Sequence, residues 1–129
     1  MNTSATAETP AQVPFREPDR TLRKDREMKL VWDLQPDPEG GTRQAVLSIG
    51  HHKNRRGGSF TATLLNQTED GNVQRMGAIT DWKRIAEAPA ARYSARQLQE
   101  FADTALAALQ AQLDLGDPMG LSAYFEVKP

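Results

Sequence analysis

No cysteine occurs in the 129 residues, which removes thiol nucleophiles, thiolate metal sites and any disulfide framework together. No apolar run approaches the roughly 18 residues that a membrane-spanning helix needs. Residues 1–15 lack both the basic start and the apolar middle of a secretory signal, so the cytoplasm is the expected setting. An excess of one charge is missing too. The formal net charge is −1, which argues against a polyanion binder whose whole surface is cationic. Aromatic residues make up only 6% of the chain, leaving few rings on which bases could stack. What is present is one domain's worth of chain, since domains run roughly 100–150 residues.

Residues 1–27 read as a disordered tail. Pro10, Pro14 and Pro18 interrupt them, and five acidic side chains balance five basic ones. Such a segment buries too little apolar surface to offset about 1–2 kcal/mol of backbone entropy per ordered residue. Its Arg20–Glu27 end either forms a helical turn against a partner or continues the tail. From residue 28 a single folded domain is expected to run to residue 129.

In 28–35 the even positions Met28, Leu30, Trp32 and Leu34 are apolar, and of the odd ones only Val31 is. That alternation predicts a half-buried strand, stopped by Pro36, Pro38, Gly40 and Gly41. A second strand over about 43–51 turns Ala45, Leu47 and Ile49 to one side, and a third over about 59–67 does the same with Phe60, Ala62 and Leu64. Asp70-Gly71 signals a tight hairpin into a fourth strand at about 72–80, although both its faces are mixed. Residues 81–93 read as irregular, with Trp82 and Ile85 packing and Pro89 ending the run.

Ser94 and Gln97 have the spacing of a helix capping box. The following helix, to about Leu113, carries Leu98, Phe101, Ala102, Ala105, Leu109 and Leu113, joined by Leu106, as one apolar stripe. Gly116 and Pro118 end it. Leu121, Ala123, Phe125 and Val127 then alternate with polar or amphipathic residues, as in a closing strand. The expected fold class is α+β: an antiparallel four-stranded meander with one long amphipathic helix packed on a face, plus a C-terminal strand.

Catalytic chemistry has little to stand on, so the chain reads as non-enzymatic. His51 and His52 are neighbours on a strand, point to opposite faces and cannot readily chelate one metal; both are expected to be exposed. Gly57-Gly58 precedes a strand rather than a helix, unlike the loops that cradle phosphates. The acidic Asp37–Gly40 stretch lacks the spaced oxygens of a calcium loop. No cofactor or metal is called for.

Charge is segregated along the chain. Residues 43–58 hold Arg43, Lys53, Arg55 and Arg56 with no acidic residue, a balance of +4. Residues 71–99 stand at +3, with Arg75, Lys83 and Arg84 among their cations, whereas residues 100–129 stand at −4. Arg43 and the His51–Arg56 tip, including His52 and Lys53, together with Thr61, Thr63, Gln74, Arg75, Lys83 and Arg84, are the candidate nucleic-acid-binding surface, single strands being preferred. Trp32, Phe60 and Phe101 are spoken for by the core, which leaves Tyr93, Tyr124 and Trp82 as rings for stacking.

The order of four strands and a helix over roughly 28–113 resembles the arrangement in the Whirly and positive-cofactor-like single-stranded nucleic-acid-binding families. The resemblance lies in element order alone and implies single-strand binding without assigning residues. The alternative is a protein-interaction or assembly subunit that meets an acidic partner through the same basic surface. Val31, Leu65 and Met76, expected on the face away from the helix, slightly favour a homodimer.

Overall fold

The alternation of apolar and polar residues becomes a five-stranded antiparallel meander in the computed structural model, which describes residues 17–34, 43–53, 57–68, 79–118 and 120–125. The strands are β1 (Arg20–Lys24), β2 (Glu27–Leu34), β3 (Arg43–His52), β4 (Ser59–Thr68) and β5 (Ile79–Pro89), ordered β1-β2-β3-β4-β5 across the sheet. Helix α1 (Ala95–Asp114) follows, and then a 3₁₀ turn (Leu121–Tyr124).

The inward set expected from period-2 spacing is buried as a block: Met28, Leu30 and Trp32 from β2, Ala45, Leu47 and Ile49 from β3, and Phe60, Ala62 and Leu64 from β4. Helix α1 closes this face with Leu98, Phe101, Ala102, Ala105 and Leu109. Phe101 stacks on Phe60 with ring centroids 5.5 Å apart, and Phe125 meets Trp32 edge-on at 5.4 Å. The helix starts where the sequence places it. The Ser94 hydroxyl accepts the Gln97 N–H at 3.1 Å and donates to the Gln97 side-chain oxygen, so the Gln97 amide serves the cap differently from the usual reciprocal box.

Three segments differ from expectation. Arg20–Lys24, assigned to the tail, is an edge strand whose every residue is exposed. It turns into β2 through Asp25-Arg26, with Asp25 at φ 53°, a region that aspartate tolerates better than most side chains. Arg20 holds it with two hydrogen bonds to Asp33, at 2.6 and 2.9 Å, and this guanidinium keeps the Asp33 carboxyl below its ordinary value. Residues 79–89, read mostly as irregular, form β5. Register shifts at Ala62/Thr63 and Asn66/Gln67 break its alternation and hide it from a period-2 reading. Most of the fourth strand expected at 72–80, with the Asp70-Gly71 turn and Met76, lies outside the described residues.

The third difference is at the C-terminal end. Leu121–Tyr124 is a 3₁₀ turn where a strand was expected. Its buried residues, Leu121, Tyr124 and Phe125, are spaced as on a helix, so Tyr124 is packed into the core rather than left for stacking. The Asp117 carboxylate accepts the N–H groups of Leu121 and Ser122 and the Ser122 hydroxyl, which secures the turn. No helix among the described residues is long and apolar enough to cross a membrane.

Candidate functional site

With α1 on one side, the other side of the sheet carries the candidate surface. Antiparallel register sets two cross-strand rows there, because residues opposite one another share a face. In one row Leu22, Lys29, Ser48, Thr63 and Arg84 stand side by side. In the adjacent row Arg20, Val31, Val46, Leu65 and Trp82 do so. At the usual inter-strand spacing each row spans about 19 Å. The first is polar and cationic across its middle. The second is apolar from Val31 to Trp82, but Val31 and Val46 are buried, which leaves Trp82, 55% exposed, as its accessible end.

Beyond the polar row lies a groove of about 540 Å³ whose lining mixes the cations Arg26 and Lys29 with the acids Asp25 and Glu27, beside His52, Thr61 and Thr63. Three of the expected site residues, His52, Thr61 and Thr63, therefore converge, and Arg84 joins them through its pairing with Thr63. Arg84 is also tied to Glu87 at 3.1 Å, an exposed pair worth at most about 1 kcal/mol.

The remaining expected residues separate. Arg43 begins β3 while His52 ends it, about 30 Å away along an extended strand. Lys83 stands opposite the inward-facing Leu64, on the helix side of β5, where its charge acts on Asp117. The positions of Arg55, Arg56, Gln74 and Arg75 lie outside the described residues.

Lys53 belongs to a different place, a recess of about 220 Å³ at the end of the sheet. Arg26 from the β1–β2 turn, Lys53 after β3 and Arg92 before α1 line it with His51, Gly57 and Tyr93. Tyr93 organises the recess. Its hydroxyl donates to the Asp25 carbonyl at 2.9 Å, and the Arg26 guanidinium lies 5.7 Å from its ring centroid, within reach of a cation–π attraction. The backbone fixes the same turn to β3, the His51 N–H donating to the Arg26 carbonyl at 3.2 Å.

The two histidines do face opposite ways, but only His52 is exposed. His51 is buried against Phe60, 5.0 Å between ring centroids, with Nε2 3.4 Å from the Ala90 carbonyl. Among the described residues, no group of three or more potential metal ligands comes together. Sequence reasoning missed Arg26 and Lys29. Arg26 lies in the stretch whose composition reads as tail, and Lys29 shows in the sequence only as an outward position of β2.

Comparison with protein-family models, curated proteins and solved structures finds no match to this chain.

Proposed function

We propose that this protein is a small non-enzymatic binding module that holds single-stranded nucleic acid across the outer face of its sheet. One observation carries the reading: the Lys29–Ser48–Thr63–Arg84 row runs beside a row that ends in an exposed tryptophan. Cations and hydroxyls are the groups that contact phosphate and sugar, and an exposed indole offers any base a stacking face. A sheet face of this kind suits a flexible strand better than a stiff duplex, because among the described residues it presents no protruding helix or ribbon for a groove. The reading assumes a cytoplasmic setting, with which a cysteine-free chain is compatible.

Fluorescence anisotropy with single-stranded DNA, duplex DNA and RNA oligomers across a salt series tests it. Each phosphate contact contributes a slope of about −0.7 in log affinity against log salt for single strands. Replacing Lys29 and Arg84 together by alanine should therefore flatten the slope by about 1.4. Trp82→Ala should cost about 1–3 kcal/mol. Failure of every oligomer to bind at low salt overturns the reading.

The protein-contact alternative rests on the accessible end of the second row, Leu65 and the exposed Trp82, since Val31 and Val46 are already buried within the chain. It predicts a concentration-dependent dimer in sedimentation that Trp82→Ala weakens, with no salt-sensitive oligonucleotide binding.

A further inference from the structure

We propose that Arg26, Lys53 and Arg92 form a seat for a phosphate monoester at the end of the sheet, next to the outer-face groove with which it shares Arg26. The three cations come from three different parts of the chain and line one recess that no aspartate or glutamate lines among the described residues. None of the three makes an ion pair among the described residues. Like charges brought together repel, so a recess of this kind gains stability when an anion occupies it.

The volume and the donor set narrow the ligand class. About 220 Å³ falls below the roughly 300–1,000 Å³ of pockets that enclose drug-sized molecules. The recess therefore suits a small anionic group rather than a whole nucleotide. A phosphate monoester presents three terminal oxygens and nearly two negative charges near neutral pH. That matches three cationic side chains better than a diester, which has two free oxygens and one charge.

The seat is also held in shape before any ligand arrives. Tyr93 fixes the Asp25-Arg26 turn through its hydroxyl and lies against the Arg26 guanidinium. Gly57, at φ 113°, passes so near Ala91 that an added Cβ would lie 3.3 Å from its Cα. His51 lines the recess, is about nine-tenths buried, and has an Nδ1 with no hydrogen-bond partner.

The test is titration of the full chain with inorganic phosphate at constant ionic strength, chloride being the balancing anion, followed by backbone NMR. Saturable shifts centred on His51, Gly57 and Tyr93 are expected. Arg92→Gln and Lys53→Gln should each weaken the affinity at least tenfold while the remaining amide spectrum stays folded; Lys53 is exposed, so its replacement does not threaten the turn. Absence of a saturable response in the parent chain, or unchanged affinity in both variants, overturns the seat.

A second arm compares 5′-phosphorylated and 5′-hydroxyl oligonucleotides. A tenfold preference for the phosphorylated end identifies a nucleic-acid terminus as the source. Equal binding, with inorganic phosphate still bound, identifies a small phosphorylated molecule instead. Phosphate binding without any oligonucleotide binding retains the seat and rejects the nucleic-acid reading. Oligonucleotide binding without a phosphate response does the reverse.

Discussion

Two leucines near the end of α1 allow the docking of the helix to be measured against an internal control. Leu109 is wholly buried against the sheet, whereas Leu115, the residue that caps the helix, is 74% exposed. Both become alanine with the same loss of atoms and nearly the same change in helix propensity. Leu109→Ala removes contacts and leaves a cavity, at a cost of about 2.7–5.0 kcal/mol where the walls do not collapse. A domain of this size has only about 5–15 kcal/mol of stability to lose. With a urea dependence of about 1–3 kcal/mol per molar, the midpoint should fall by about 1–5 M. Leu115→Ala should stay within about 0.5 kcal/mol of the parent.

The assay is equilibrium urea unfolding followed by the emission of Trp32, which is fully buried. A Trp82→Phe background removes the exposed indole from the signal. A loss below about 1 kcal/mol for Leu109→Ala, or equal losses for the two variants, would refute the described packing of α1 on the sheet.

Three further outcomes follow from single residues. Ser94→Ala removes the acceptor for the Gln97 N–H and should cost about 1 kcal/mol, read as a fall in the same urea midpoint. Gly58→Ala should destabilise markedly, because at φ 133° its Cβ would lie 2.6 Å from the His52 carbonyl oxygen; a neutral result in thermal denaturation would show that this approach can relax. For Asp117, burial raises the carboxyl, but hydrogen bonds from Ser122 and the Leu121 N–H outweigh it, with help from the Lys83 charge, and the net shift is downward. A carboxyl whose folded value is lowered contributes stability that is complete above its unfolded value of about 3.9 and is lost as pH falls through the folded one. Asp117→Asn should therefore be less stable than the parent at pH 7, and the gap should close in acid; a pH-independent gap counts against it.

The core was legible because one rule governed it. In β2, β3 and β4 every second residue faces α1, and the residues picked by spacing are buried there; spacing did not reveal that Val31, Gln44 and Val46 on the opposite face are buried as well. The failures have equally local causes. β1 reads Arg-Thr-Leu-Arg-Lys, and an edge strand with neither face buried has no hydrophobic period to display. In β5 the bulges shift residues between faces, and Trp82 points outward. Leu121, Ala123 and Phe125 alternate as in a strand, but Tyr124 beside them is buried, which only a helical turn explains.

The candidate surfaces were half legible. His52, Thr61 and Thr63 were identified from strand position, since neighbouring strands carry their outward residues into register. The recess was not, because Arg26, Lys53 and Arg92 are far apart in sequence and no local pattern announces that they meet.

The unbroken meander has a consequence for how the chain reaches this structure. Every strand pairs with its neighbour in sequence, so the sheet can grow by successive hairpins, each closing a short loop at small entropic cost. The long closures fall elsewhere: Tyr93 to Asp25 and Arg23 to Gln99 join the two ends of the described chain. Low contact order within the sheet favours rapid folding. The turn that carries Arg26 becomes fixed to Tyr93 only when the approach to α1 returns to the strands laid down first. Assembly of the cationic recess thus reports completion of the tertiary structure, while the outer-face rows need only the sheet.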